Sequence, residues 1–352
     1  AVLGCVAAMA ALGVPVALAA AVFALSTGYA SLNTGQIVPF ALLALVLCGV
    51  SLHRGRFAVA GFLAALTAIE PTLGVPVIAA TLLFFSRARA AAIVTMLCWA
   101  IAGVALVGVA GAEGYLTRVL PAHAASELHF PFQYSLTYVL AFLGMPGGPA
   151  QALGTLSYVM VVVAGLWIAP RVSRALARPE LVVFIPALSC AIGGAFVHQE
   201  ELCFALPALV ILAVGTAGWS RVVSAAALCI LSIPWIAAWG MKALFLPSVF
   251  VCAVIVVSLR LRAREAWPVL LAIAGALYGF ELFPPHLPVP AAGTLHAYAP
   301  NDLVQLEWGD YTEQRRTGDL AWLAIKLPSW AALLSALWVA VTIQAPSTSR
   351  RI

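Results

Sequence analysis

Apolar positions in this chain run together at close to membrane length, and the polar positions are gathered into the gaps between the runs. Ala90–Ala110 and Trp322–Thr342 approach the ~20 apolar residues that a spanning helix needs. Reading each run as a helix gives expected spans at 3–25, 36–52, 90–111, 152–169, 181–197, 202–218, 222–240, 244–259, 267–283 and 321–344. The stretch 57–86 is too short for two full crossings and carries Glu70-Pro71 at its middle. Pro71 removes a backbone donor, so 57–86 is expected to be a short helical hairpin with Glu70 near its tip. One long kinked helix is the alternative there. The fold class predicted is all-α: one polytopic transmembrane bundle over 1–352, with about 10 full spans plus that hairpin.

Composition agrees. Hydrophobic residues make up 64% and charged residues 9%, against about 25% charged in a soluble domain. The charges also sort by sign. All but five of the 18 basic residues fall in clusters around positions 54–56, 87–89, 171–178, 221, 260–264 and 350–351. Placing those loops in the cytoplasm follows the enrichment of Lys and Arg on that side. It leaves Arg118, Lys242, Arg315, Arg316 and Lys326 outside and only Glu180 and Glu265 among the acids inside. Two long outer loops result, 112–151 and 284–319.

The basic balance, net +5, fits anionic lipid at the cytoplasmic face and not nucleic acid. The seven cysteines lie in or beside apolar runs without metal-ligand spacing, so neither a disulfide framework nor a zinc site is expected. Residue 1 is Ala and no basic segment precedes the first run, so no signal peptide is read and the chain is expected to begin inside a larger protein. No heptad, fixed-period repeat or nucleotide-binding motif is present.

Candidate chemistry gathers on the outer side. Asn33 and Gln36 flank a Thr-Gly turn where they can contact a substrate or merely cap a helix. His123, Glu127 and His129 fall within seven residues, followed by Gln133 and Tyr134. His123 and Glu127 share a helix face at i,i+4, suited to proton transfer, to a divalent cation, or to a plain solvated face. His198-Gln-Glu-Glu201 forms a tight polar corner between two runs. Glu70 is an ionisable residue inside an apolar stretch, which by itself suggests function. Asp302 and other acids alternate with Trp308, Tyr311 and Trp322 in the last outer loop, as a sugar platform or as an aromatic belt.

Tyr29-Ala-Ser-Leu-Asn-Thr-Gly-Gln36, then Arg54-Gly-Arg56, Ala60-Gly61, Glu70-Pro71, Tyr115, Leu120-Pro121 and Gln133-Tyr-Ser-Leu136 together resemble glycosyltransferase family 87. These are membrane transferases of the GT-C superfamily, similar to polyprenol-phosphate-mannose-dependent mannosyltransferases. The resemblance is clearest over residues 29–140. It implies an integral-membrane hexosyltransferase of the cell membrane that moves a sugar, mannose or another hexose, from a polyprenyl-phosphate donor to a lipid or glycan acceptor on the extracytoplasmic face. It implies no nucleotide-binding fold, and it leaves a divalent cation open.

Two departures bear on the chemistry. The family usually carries Lys where Glu70 stands, so a phosphate-holding role at that position does not transfer. Such enzymes also keep a catalytic acid in the first outer loop, whereas 26–35 contains no Asp or Glu. The base is therefore expected upstream of Ala1, with Glu127 and Asp302 as secondary candidates, and residues 1–352 alone are expected to be inactive. The substrate-binding set expected is Asn33, Gln36, Glu70, His123, Glu127, His129, Gln133, Tyr134 and His198, most of them around one outer-facing cavity. A secondary transporter and a non-catalytic membrane subunit are the rival classes. The long outer loops, and the absence of repeats, weigh against a carrier.

Overall fold

In a computed structural model, residues 1–28, 36–282, 284, 286 and 316–343 are described; Asn33 and Asp302 lie outside them. Those residues are mostly helical, 82%, and form no strand. The first expected span, 3–25, is corrected. It is two helices, α1 (Val2–Ala11) and α2 (Val16–Ala24). Gly13 at φ +82 and Pro15 turn the chain between them. Gly is what such a left-handed position admits without strain. The two helices pack on each other.

Helix α3 (Val38–His53) leads into α4 (Phe57–Leu66), a short 3-10 turn at Thr67–Ile69, and α5 (Pro71–Phe84). The rings of Phe57 and Phe85 lie 6.0 Å apart, so α4 and α5 run out and back as a hairpin and the single kinked helix is excluded. Pro71 sits at the first turn of α5, where its missing N–H costs nothing. Glu70, in extended backbone, is the joint.

Next comes α6 (Arg89–Gly114), which continues through a π turn at Tyr115–Val119 into α7 (Leu120–Glu127). Gly108, at φ +74, interrupts the helical geometry partway. The residues before that break rise about 28 Å, close to the hydrocarbon thickness. Residues 112–151 are therefore not the extended loop expected. They hold the end of α6, α7, α8 (Leu136–Phe142) and the start of α9 (Gly147–Leu176). The remaining helices are α10 (Leu181–Gly193), α11 (Leu206–Gly215), α12 (Gly218–Leu231), α13 (Trp235–Gly240), α14 (Phe245–Ser258), α15 (Ala263–Leu282), α16 (Ala321–Ala324) and α17 (Leu327–Thr342).

Among the described residues four helical segments are long and apolar enough to cross a membrane: Ser86–Glu127, Gly147–Leu176, Ala263–Leu282 and Ala321–Thr342. The outer surface of the bundle carries Ile93, Leu97, Ile101, Leu106 and Val109 from α6 and Leu156, Met160, Val163 and Trp167 from α9, all exposed. Large exposed apolar faces of this kind suit contact with lipid. Most other helices are shorter than a crossing needs. They fill the interior around α10, which is buried along nearly all its length and packs against α9 and α5. Close approach there depends on glycine: a Cβ at Gly165 would strike Ser189, and one at Gly49 would strike Phe184.

The bundle has two polar ends, set apart by the length of α10, about 20 Å. At one end the buried Glu180 accepts from Arg178 and pairs with His53 at 3.1 Å, while Arg178 also donates to the Leu12 carbonyl at 2.9 Å. Three chain segments are tied there. Glu70 and the His198–Glu201 corner belong to the other end.

Gly61 is where the hairpin lies against the start of α6, and a Cβ there would overlap the Ala88 carbonyl oxygen. Gly61→Ala should therefore destabilise the protein by about 1–3 kcal/mol, as overpacking does. A thermal melt in lipid nanodiscs reads this directly; an unchanged midpoint would mean that the hairpin does not dock so closely.

Candidate functional site

The site grows from one buried carboxylate. Glu127 ends α7 at 1% exposure, inside an apolar bundle. An unpaired carboxylate there would be costly, so its partners decide the local fold. Gln133 Nε2 donates to Glu127 Oε2 at 2.6 Å, and His198 Nε2 lies 3.2 Å from the same oxygen. The Gln133 amide is oriented from its other side, because the Val197 N–H donates to Oε1 at 2.9 Å. Its NH₂ must then face Glu127 and His198. The Tyr134 N–H completes the tie by donating to the Val197 carbonyl, and Gln133 and His198 form an isolated antiparallel bridge.

His198 is held at both ends. Its backbone N–H donates to Glu201 Oε2 at 3.1 Å, and its Nδ1 lies 3.8 Å from Glu201 Oε1, the two residues forming a capping box over the turn Gln199–Ala205. Gln199 in turn accepts from the Ile236 N–H at 3.1 Å, fixing α13 to the same corner. Burial alone disfavours a charged imidazole here. The hydrogen bonds to Glu127 and Glu201, with their charges, outweigh it and raise the pKa of His198 well above its usual value. With the Nε2 proton in place, both His198 and Gln133 donate to Glu127. Glu200, beside them, is pushed up by burial, against a lowering by His198.

The expected residues sort as follows. Glu127, Gln133 and His198 come together. His123 reaches the edge of the group, its Nε2 3.8 Å from Glu127 Oε1. Glu70 joins electrostatically, sensing Glu201 and His198, and accepts from the Thr72 hydroxyl at 3.1 Å. Gln36 is exposed at the start of α3, the end opposite His53. The single open cavity expected to hold these residues is corrected, because Glu127 and Gln133 are filled in by each other and by His198. His129 faces elsewhere, onto a cavity of about 220 Å³ shared with Tyr138, Phe142, Gly144 and Arg316–Gly318. Tyr134, at 2% exposure, is packed against Trp330 and is not open to a substrate. Among the described residues no three His, Cys, Asp or Glu converge to hold a metal.

One residue escaped the sequence reading. Lys326 was expected in an outer loop but is fully buried at the start of α17, over the ring of Tyr138. The signal was present: a lone Lys lies inside the run read as the last span, and an ionisable group there is the same kind of flag as Glu70.

The sequence profile of glycosyltransferase family 87 matches residues 1–197. The chain belongs to this family. The match takes in the hairpin, Glu127, Gln133 and the Val197 backbone that orients Gln133, and it stops one residue short of His198. No curated protein and no solved structure matches the chain.

Since the pKa of His198 is raised, the stability it contributes is complete below the ordinary histidine value of about 6.5 and is lost as pH climbs through the raised value. The thermal midpoint should accordingly fall on the alkaline side of neutrality. His198→Gln should remove that slope and cost about 3 kcal/mol at neutral pH, because it strips a charged partner from a buried carboxylate. The same slope in wild type and variant would remove His198 from the account.

Proposed function

We propose that this family 87 glycosyltransferase takes a hexose, mannose being the first choice, from a polyprenyl-phosphate donor and passes it to a lipid or glycan hydroxyl at the extracytoplasmic face of the cell membrane. The bundle is read as multi-pass, with about ten crossings once the shorter helices are counted. The observation that carries the reading is the carboxylate-and-histidine group, at the end of the bundle opposite the Arg178 end, in a chain of this family. Arginine-rich loops at the Arg178 end support reading it as cytoplasmic, with the Glu70–His198 end outward.

The chemistry asked of this end is modest. A carboxylate takes the proton from the acceptor hydroxyl, the freed oxygen attacks the anomeric carbon, and the bond from that carbon to the phosphate oxygen breaks. The polyprenyl phosphate leaves with the bonding pair. Glu127 is a poor base for this, since Oε2 already accepts from two donors and the group is shut off from solvent. Glu70 and Glu200 are half-buried, and burial makes Glu200 the more willing to take a proton. In place of a base upstream of Ala1, they are the carboxylates proposed to act on the acceptor, with Glu127 and Gln133 holding His198 in place. His198 then puts positive charge beside the departing phosphate.

The test is transfer of radiolabelled sugar from a polyprenyl-phosphate donor into a lipid or glycan acceptor by the full-length protein in membranes. Glu70→Gln and Glu200→Gln are the variants, and loss of general-base help should lower the rate ~10²–10⁴-fold in whichever of them carries the base. Transfer from a nucleotide sugar alone would contradict the donor assignment. Unchanged rates in both variants would contradict the base assignment.

A further inference from the structure

Glu70 is held at the joint of the hairpin by a chain of contacts that begins on a different helix. Its backbone is extended, at φ −117 and ψ 99, and its side chain does not cap α5. The Thr72 hydroxyl instead donates to Glu70 Oε1 at 3.1 Å. The carbonyl of the same Thr72 accepts from the Tyr158 hydroxyl at 2.8 Å, and Tyr158 belongs to α9. A carbonyl carries no proton, so the phenol must be the donor. Thr72 is therefore gripped at both ends, by Tyr158 through its backbone and by Glu70 through its hydroxyl.

Two constraints set where that carboxylate lies. Within the hairpin, a Cβ at Gly74 would strike the Ala68 backbone, so the 3-10 turn is pressed against the first turn of α5. That contact fixes the shape of the turn but not where its tip sits in the bundle. Tyr158 supplies the second constraint. The hydroxyl of its neighbour Ser157 donates to the Gly193 carbonyl at 3.3 Å, and a Cβ at Gly193 would come within 2.9 Å of the Ser157 carbonyl oxygen. Gly193 ends α10, and His198 follows it by five residues. α9 is thus seated beside the His198 corner at the residue before Tyr158, and the Tyr158 bond refers Glu70 to that corner. Among the described residues no hydrogen bond reaches Glu70 Oε2, which leaves that oxygen for a substrate hydroxyl. Position matters here, because a misplacement of about 1 Å can cost ~10²-fold in rate.

We propose that Tyr158 is a positioning residue for Glu70: by holding the Thr72 carbonyl it presents Oε2 to the acceptor hydroxyl. This rests on the reading of Glu70 as the base. The acceptor proton passes to Oε2, the acceptor oxygen bonds to the anomeric carbon, and Thr72 and Tyr158 keep their own protons throughout.

The test uses the full-length protein in membranes and the sugar-transfer assay above. Tyr158→Phe keeps the ring and removes one oxygen; kcat should fall about 10²-fold with KM unchanged. Thr72→Val should do the same, Thr72→Ser should retain the rate, and this pair carries the test should Tyr158→Phe fail to fold. In a Glu70→Gln background, Tyr158→Phe should change the rate by less than about twofold, because residues acting as one unit are not additive. A merely structural tyrosine would lower it by the same factor in both backgrounds. A second readout does not depend on activity: Glu70 is labelled with a hydrophobic carbodiimide and the modified peptide is followed by mass spectrometry. Tyr158→Phe should label several-fold faster, since the carboxyl is released from its hold on Thr72. Labelling at the wild-type rate, or an equal loss of kcat in both backgrounds, overturns the positioning role. Faster labelling beside full activity of Glu70→Gln would leave the positioning role standing and remove Glu70 as the base.

Discussion

Everything at the Glu70–His198 end depends on the rule that a polar group inside an apolar bundle must be partnered. Glu127 has almost no exposure, so the chain after α7 is not free to wander. It must bring a donor back within six residues, and Gln133 does so at 2.6 Å. The second donor, His198, comes from 71 residues further along. These short bonds dock the 127–138 segment onto the corner between α10 and α11, and through Gln199 onto α13. An apolar replacement of the whole group would pack well enough but would leave that segment without a fixed register. Buried polar networks of this kind, when fully satisfied, specify one arrangement among many.

The two ends of α10 solve the same problem differently. At Glu180 the carboxylate meets a guanidinium, which is always charged, together with an imidazole, and the Arg178 fork reaches on to a carbonyl of the first helix pair. The result is a closed structural tie. At Glu127 and Glu201 the cation is a histidine, whose proton can come and go, and Glu70 and Glu200 stand beside it only half-buried. A fold needs the first arrangement; proton transfer to a substrate needs the second. Lys326 adds a third case, an amine buried against a ring without a hydrogen-bond partner.

How much of this was legible in the sequence follows from how local each signal is. The hairpin at 57–86 was legible because its length and Glu70-Pro71 are local facts, and the Phe57–Phe85 contact agrees. The His123–Glu127 pairing followed from helix periodicity. The split of 3–25 into two helices was overlooked although Gly13 and Pro15 announce it; the apolar run outweighed its own punctuation. The bridge between Gln133 and His198 had no local signature, since it joins positions 65 apart. Nor did the closing-up of Glu127 and Gln133, for polarity in a sequence does not say whether a group meets a substrate or another side chain. Lys326 was misplaced because counting charges by loop assigned it to the nearest one, while its true setting is inside the last apolar run.

The central claim is that sugar transfer occurs at the Glu70–His198 end of the bundle. Photocrosslinking tests it most directly: a polyprenyl-phosphate sugar with a photoreactive group on the sugar is illuminated with the full-length protein in membranes, and the labelled peptides are located by mass spectrometry. The account predicts label in peptides carrying Glu70, residues 127–138 and residues 198–204, competed away by unmodified donor. Label concentrated near His53, Arg178 and Glu180 would contradict it.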